Sequence, residues 1–551
     1  MLRYVLPLLL VSCMSAFAAQ SKEMSLGDDA FCLRALVVTD QSRLQRNAAE
    51  GIVIDIAAPP ASPEELQETL SLFIGRTVDA EQIRLIKECV LAFYVSHDHP
   101  IVRVWTPEQS LSGGTLIVMV KETKVGKVEY VGNYWTQPDR IEKQLHLEEG
   151  QCIECRRLVN DISYVNQDPF CKADVFLTPG VFPGTTDVEV ITNDRIPFRP
   201  NLGIDNMGSL NIGSNRVFAG FDAGHFFRDH LLTYQYTASD DFRRFQSHTI
   251  RYLAPFSPRN AVLLFGGYAQ VKPTLSGFES SGWGWQGSFR YNHAIKAGYT
   301  GFMQEVSAGC DFKRSNNNLL YVEFSPQQQV IQQNTNLFQA ALEYRLALIS
   351  QNNIFSFSLE GFVSPGQWFA DQSNHDYGDV RAHARNLYFY QQMTAKDVLT
   401  FGKGWTLHAQ LREQMTTATL LPSEEYGLGG FDTVRGYLER ITLKDNIFNL
   451  NLECHTPPVA LFSALRADRK SRRWEDHVEV LAFFDCAFGY DKHRTYPYQK
   501  NVSLASFGLG ARYELGSYVT ARYDWGHRLT TVEGVFNGAR NRSHFSCIIV
   551  F

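Results

Sequence analysis

From about Asn201 to Phe551, apolar and polar residues alternate with a period of two, and this alternation limits the fold more than any other feature. In "LFQAALEYRLALIS", Phe338, Ala340, Leu342, Tyr344, Leu346 and Leu348 alternate with Gln339, Ala341, Glu343, Arg345 and Ala347. In "FGLGARYEL", Phe507, Leu509, Ala511, Tyr513 and Leu515 alternate with Gly508, Gly510, Arg512 and Glu514. "WTLHAQLR" and "IFNLNLEC" repeat the pattern. Successive side chains of a strand point to opposite faces, so each stretch has one apolar and one polar face. About sixteen such strands follow one another at a length suited to a membrane barrel. A soluble sandwich also alternates, but it rarely strings together so many strands. It also leaves the loop spacing unexplained. Turns after even-numbered strands are short, as in "FRD", "APFSPRN" and "QNN", whereas loops after odd-numbered strands are long, at 314–334, 364–381 and 417–446. Short turns at one rim and long loops at the other are the asymmetry of an outer-membrane barrel. The last strand, "SHFSCIIVF", puts Phe545, Cys547, Ile549 and Phe551 on one face and ends on an aromatic residue. A closed barrel pairs all its backbone groups, which lets strands cross lipid.

Composition agrees with this reading. Mean hydropathy is −0.21, and beyond the N-terminus there is no apolar run of roughly 18 residues, the length a spanning helix needs. Charged residues make up 20% and the formal net charge is −6. That balance excludes a disordered chain and a strongly basic nucleic-acid binder. Residues 1–18 read as a secretory signal peptide: Arg3, then an apolar run, then Ala16-Phe17-Ala18 as an A-x-A cleavage site. Leu10-Val11-Ser12-Cys13 also resembles a lipobox, which would lipidate Cys13. A mature chain of outer-membrane type would then begin close to its first folded unit, with little room for a plug helix.

Residues 31–196 follow a different rhythm. "FCLRALVVTD" predicts a strand, and "SPEELQETLSLFIG" a helix opened by a cap, a first-turn proline and acids. "DAEQIRLIKECVLAFYVSH" predicts a second helix with Ile83, Ile86, Val90 and Phe93 on one face. "IVRVWT" and "GTLIVMVKE" predict two more strands. The order β-α-α-β-β over 31–122 recurs over 123–196, which makes an internal repeat of two α+β units. Each small sheet has edge strands able to accept an extended peptide. Cys152-Ile153-Glu154-Cys155 has C-x-x-C spacing but no second pair, so a zinc ribbon is disfavoured and a local disulfide or two buried thiols is expected. His97-Asp98-His99 reads as a solvated polar turn.

One turn breaks the loop asymmetry. The connection at 456–476 should be short, yet it carries Arg466, Arg469, Lys470, Arg472 and Arg473. Such clusters usually form a solvated surface; contact with an acidic segment of another protein is the sharper alternative.

The loop 417–446 contains "YGLGGFDTVRGYLER". Tandem β-α-α-β-β units, a sixteen-strand barrel, a "VRGY" loop and the segment "VNQDPFCKADVFLTPGVFPGTTDVEV" together resemble the two-partner secretion transporters. These are the hemolysin-activator branch of the Omp85 superfamily, whose periplasmic units are POTRA domains. The resemblance implies a 16-stranded transmembrane β-barrel at 200–551, preceded by POTRA-type domains at 31–122 and 123–196. It implies that the loop folds inward and that Val434, Arg435, Gly436 and Tyr437 meet an F-x-D-x-G strand motif. Here that motif is Phe483, Asp485 and Ala487, with alanine where the family has glycine. Asp485 falls on the lumenal face by period two, while Val480, Ala482, Phe484 and Phe488 take the opposite face. The planar fork of arginine matches a carboxylate as lysine does not, and Gly429, Gly430 and Gly436 permit turns that a Cβ resists. The extra methyl of Ala487 calls a close approach of the loop into question.

The implied function is export of a large β-rich exoprotein from periplasm to cell surface. The implied partners are that client, outer-membrane lipid and the barrel-assembly machinery, with no nucleic acid and no cofactor. Two other readings are a barrel-insertion factor of the same superfamily and a passive porin. No G-x-S-x-G elbow or metal-ligand cluster stands out in the sequence to indicate an enzyme.

Overall fold

The computed structural model describes residues 31–41, 50–97, 99, 101–111, 113–166, 168–182, 184–209, 212–225, 227, 229–275, 278–295, 301–321, 328–461, 476–493 and 501–551. The signal peptide at 1–18, Cys13, any helix ahead of the first repeat, and the cluster Arg466, Arg469, Lys470, Arg472 and Arg473 lie outside the described residues. The chain divides between Ile196 and Pro197 into two compact units.

The first unit holds both repeats. In the first repeat, β1 (Phe31–Cys32), β2 (Ala35–Thr39) and β3 (Gly51–Asp55) precede α1 (Pro63–Ser71). Then come β4 (Thr77–Val78), α2 (Ala80–Ser96), β5 (Val102–Trp105) and β6 (Thr115–Glu122). The sheet order is β3-β2-β6-β5. Strand β2 runs parallel to both β3 and β6. The expected order of one strand, two helices and two strands was therefore too simple. The first strand is broken between Cys32 and Ala35, and β3 adds an edge. Ile52 and Ile54 of β3 pack against the core. Pro63 opens α1 with Glu64 and Glu65 in its first turn, where acids favour the helix dipole. The side chain of Asp79 caps α2 by accepting from Gln82 N. Ile83, Ile86, Val90 and Phe93 join Leu36, Val38, Leu66, Leu70 and Val118 in one apolar core. His97 and His99 do not sit free in a turn: the first contacts Phe93 O at 2.8 Å and the second Glu122 Oε2 at 3.0 Å.

The second repeat has β7 (Lys124–Val131), α3 (Pro138–Gln144), α4 (Cys155–Val165), β8 (Cys171–Pro179) and β9 (Thr185–Asp194). Its sheet order is β7-β9-β8, with β7 parallel and β8 antiparallel to β9. Asp194 gathers the backbone N–H groups of Tyr134, Trp135 and Thr136 at 2.7–3.2 Å. Burial works against its charge, but those donors hold its carboxyl below the usual carboxylate range. Cys152 and Cys155 are separate thiols, Cys152 exposed and Cys155 at the start of α4. The expected disulfide or buried pair is thus not formed. Partial burial, then nearby Glu122, raises the pKa of the Cys152 thiol.

The second unit is a closed antiparallel barrel of sixteen principal strands, Phe198–Asp205 to Asn541–Val550, plus the short strand Thr274–Leu275. The last strand pairs with the first from Asn201↔Val550 to Asp205↔Ser546. Its burial is inverted relative to a soluble protein. Leu342, Phe389, Leu407, Phe484, Phe507, Leu509 and Tyr523 are exposed, whereas Arg290, Asp311, Gln339, Gln414, Asn449, Asp485 and Asp524 are buried. Apolar side chains outward and polar ones inward is the arrangement lipid requires. The segment 314–334 is not chiefly a loop: strands Phe302–Tyr321 and Gln328–Ile349 extend into it from both sides. These strands are 20 and 22 residues long, about twice what a tilted strand needs to cross the bilayer. Continued ladder pairing satisfies the backbone beyond it. The rim asymmetry is also uneven, since the connection after the third barrel strand, Asp240–Arg244, is short. The loop expected at 364–381 begins after Pro365 and carries α5 (Asn374–Val380), with a capping box at Ser373 and Asp376.

Candidate functional site: a clamped loop inside the barrel

The loop between strands Trp405–Thr416 and Asn446–His455 closes on itself. Inside it Tyr426–Leu428 pairs antiparallel with Thr442–Lys444. Residues 429–441 form the tip of this small ribbon. Gly429, Gly430 and Gly436 all have positive φ, at 93°, 104° and 88°. Side chains resist that region, so the turns that carry the arginine inward depend on glycine. Gly430 N donates to Val434 O at 3.0 Å and closes the tip.

Arg435 is 2% exposed and is met from several sides. Its Nε donates to Asp485 Oδ2 and its Nη2 to Asp485 Oδ1, both at 2.8 Å. Its backbone N also donates to Oδ2, at 3.1 Å. The fork of the guanidinium thus meets the carboxylate bidentately, a geometry lysine lacks. Nη1 lies 2.6 Å from Glu453 Oε1 and 3.5 Å from Asp524 Oδ1. The guanidinium carbon sits 3.5 Å over the ring of Phe483, a cation–π contact in a desolvated position. Asn451 Nδ2 supplies a further donor to Asp485 Oδ1 at 2.8 Å.

Two more arginines complete the charge pattern. Arg512 Nη1 contacts Asp524 Oδ1 at 2.9 Å and Arg522 Nε contacts Asp524 Oδ2 at 2.6 Å. Arg522 also stacks over Phe431 of the loop at 3.7 Å and donates to its carbonyl. Three arginines therefore face three carboxylates; Arg435 comes from the loop and the other five groups from the barrel wall. Asp524 has two arginine partners and Arg435 has several carboxylates, whereas Asp485 depends on Arg435, so removing Arg435 leaves a buried carboxylate unpaired.

The other predicted residues settle around this centre. Val434 and Tyr437 are fully buried and pack with Ala487, Leu428, Val502 and Leu504. Ala487 does not hold the loop away: it is buried in the same apolar cluster as Leu428, Val434 and Tyr437 of the loop. The tight backbone approach lies elsewhere. A Cβ on Gly526 would stand 2.7 Å from Gly436 N, and one on Gly436 3.1 Å from the Gly526 carbonyl. Gly436 N donates to His544 Nε2 at 3.1 Å. Tyr437 Oη lies 2.8 Å from Thr530 O and 3.0 Å from Ala505 O, and accepts from the backbone N–H groups of both residues.

Sequence reading did not single out Glu453, Asp524, Arg512, Arg522 or Gly526. Their signal was present: Glu453 and Asp524 are acids on the polar face of otherwise alternating strands. Period two gives the face of a residue but not its height in the barrel, which depends on register.

A second cluster ties the base of the loop. Arg381, just after α5, contacts Asp445 at 2.5 Å, Glu425 at 3.0 Å and Asp491 at 3.2 Å. Lys444 Nζ contacts Asp491 Oδ2 at 2.6 Å. This cluster joins three outer loops to one another.

Two POTRA-type units ahead of a sixteen-strand barrel, with an arginine loop clamped to the wall, define an outer-membrane transporter of the Omp85 superfamily. A family model described as haemolysin secretion/activation protein ShlB/FhaC/HecB matches residues 184–456, and this match, with the relatives below, supports a two-partner secretion transporter of that superfamily. It is 24% identical over 204 residues to the outer membrane transporter CdiB of Dickeya dadantii (strain 3937), covering 33% of this chain and 36% of that protein. It is 21% identical over 160 residues to the heme/hemopexin transporter protein HuxB of Haemophilus influenzae (strain 86-028NP), 28% of each. These alignments span about a third of the curated relatives' length. The fold extends further. CdiB from Escherichia coli superposes with a TM-score of 0.73 at 16% identity, over 97% of this chain and 93% of that one. CdiB from Acinetobacter baumannii gives 0.61 at 13% identity, over 97% and 92%.

Proposed function

We propose that this protein carries a partner exoprotein from the periplasm through the outer membrane to the cell surface. The observation that carries this reading is the clamped loop. It fills part of the lumen and is held by side-chain pairs rather than by barrel ladders, so it can be displaced without unfolding the wall. The Arg435–Asp485 clamp is read as a latch on the passage. Displacing it requires a substrate that offers compensating interactions, as an extended chain does with its backbone groups.

Capture is proposed to occur by strand addition in the periplasm. In the second repeat β8 is a sheet edge. Asn166 already covers the outward backbone groups of Ala173, at 2.7 and 3.0 Å. The outward groups of Val175 and Leu177, two and four residues on, extend that same edge. An unfolded β-rich client fits such an edge because backbone bonds demand no particular sequence. Contact with lipid and assembly by the barrel machinery belong to the same proposal, as does the absence of enzymatic activity.

The test is comparative proteomics of cells with and without this protein. Loss of one large protein from the surface or medium, with other outer-membrane proteins unchanged, is expected. A general loss of outer-membrane proteins would overturn the reading in favour of barrel insertion.

A further inference from the structure

On the lumenal wall below the clamp, two neighbouring strands, Trp405–Thr416 and Asn446–His455, bring together His408, Glu453 and His455. Register places His408 directly opposite Glu453, and Thr406 opposite His455. Glu453 and His455 are two apart on one strand, so both face the lumen. One ligand atom from each of the three residues lies within 4.8 Å of the others. Glu453 Oε2 is 2.8 Å from His455 Nε2.

Each imidazole is also held from outside the cluster. His455 Nδ1 lies 3.3 Å from Glu479 Oε2, on the next strand. Thr406 Oγ1 lies 3.0 Å from His408 Nε2. A carboxylate on the far nitrogen of an imidazole is the usual outer partner of a metal-ligating histidine, because it fixes the tautomer and the ring direction. The two rings stack with centroids 4.1 Å apart and planes 16° from parallel.

Charge and access point the same way. The three arginines of the clamp are matched by Glu453, Asp485 and Asp524, which leaves Glu479 as an additional carboxylate beside His455. A cavity of about 440 Å³ is lined by His408, Glu453, His455 and Glu479 and reaches the clamp at Arg435. It has room for an ion with its remaining water ligands. By contrast, the acidic group Glu425, Asp445 and Asp491 already holds Arg381 and Lys444.

We propose that His408, Glu453 and His455 form a lumenal site for a borderline divalent cation, Zn²⁺ or its close analogues, with Glu479 as the positioning residue of His455. Two imidazoles and one carboxylate suit zinc, whereas magnesium and calcium prefer all-oxygen sets. The site shares Glu453 with Arg435, whose Nη1 takes the other carboxylate oxygen. An ion there would draw on the same carboxylate that helps hold the loop.

The test uses the full-length protein, purified in detergent without a polyhistidine tag and titrated calorimetrically with Zn²⁺. One saturable ion per chain is expected, with no competition from Mg²⁺. His408→Ala and His455→Ala should each abolish that event. Glu479→Gln should weaken it about 10–100-fold, the usual effect of losing an outer partner. Co²⁺ absorption on the unaltered protein gives a second readout that needs no variant: intense visible bands of low-symmetry four-coordination are expected. Zn²⁺ uptake unchanged in both histidine variants, or only the weak bands of octahedral Co²⁺, would overturn the proposal.

Discussion

The inward loop is anchored twice, and the two anchors differ in what they hold. At its tip, Arg435 meets Asp485 on the barrel wall, with Glu453 and Asp524 beside it. At its base, Arg381 and Lys444 meet Asp445, Asp491 and Glu425, which belong to outer loops or adjoin them. Both clusters are buried, bidentate or multiply paired, and arginine-centred. The tip joins a loop to the barrel ladder, whereas the base joins loops to each other. On the proposed function, the tip is the contact that holds the passage shut and the base the contact that holds the outer cap together.

The largest expected effect separates the two. Arg435→Ala leaves the buried Asp485 without its cation, and Asp485→Ala takes the bidentate partner from Arg435 but leaves it Glu453; breaking a buried pair costs about 3–5 kcal/mol, which lumenal water reduces. The expected outcome is loss of exoprotein secretion, raised conductance in planar bilayers and unchanged barrel abundance by heat-modifiable gel mobility. Arg435→Lys keeps the charge but loses the fork, so it should fall between wild type and alanine. If abundance falls together with secretion, the tip is as structural as the base and the contrast fails.

Arg381→Ala tests the other anchor. It leaves three carboxylates to Lys444 alone, and the cost falls on local opening of the cap. A loss of about 3 kcal/mol corresponds to roughly a hundredfold more opening. Surface protease should then cleave the loops at 366–386 and 417–445 much faster in intact cells. Secretion should fall less than in Arg435→Ala. Equal loss of secretion from both variants would merge the two anchors into one.

Gly526→Ala probes the tip without touching charge. Its Cβ would meet Gly436 N at 2.7 Å, and neither partner is a flexible side chain. The wall or the loop must shift, at about 1–3 kcal/mol for overpacking. Conductance should rise, but less than for Asp485→Ala. Wild-type conductance would mean that the loop rests on its ion pairs alone.

These contrasts also mark where the sequence was informative. Alternation identified Asp485 as lumenal because side-chain direction in a strand depends only on parity. The "VRGY" tetrapeptide then supplied its partner. The additional carboxylates at the tip were less legible, because their meeting depends on barrel closure and register. Asp524 lies on the fifteenth strand, far along the chain from Arg435, and reaches it only once the sheet has curled. The base was not legible at all: Arg381, Asp445 and Asp491 sit in or beside loops, where no periodicity exists to read. The segment at 314–334 misled in the opposite direction. It reads as a long loop, although a ladder beyond the bilayer has no need of an apolar face.

The smallest effect expected is that of Tyr437→Phe, and it sharpens the comparison most finely. The ring of Tyr437 packs with Val434, Ala487 and Leu504, and phenylalanine keeps that contact. Only the hydroxyl is lost. It lies 2.8 Å from Thr530 O and receives the N–H of Thr530 at 3.2 Å and of Ala505 at 3.3 Å. Thr530 follows the fifteenth strand and Ala505 lies within the fourteenth, so this hydroxyl stitches the loop to the wall beside the charge clamp. Net hydrogen bonds are worth about 1 kcal/mol each, which predicts a loss of about 1–2 kcal/mol. Amide hydrogen exchange of the full-length protein should speed up for Ala505 and Thr530, with the strand Asp476–Tyr490 unchanged. Secretion should persist, because Arg435 and Asp485 remain paired. If exchange also quickens along Asp476–Tyr490, the hydroxyl and the ion pair act as one unit and the tip has no separable latch.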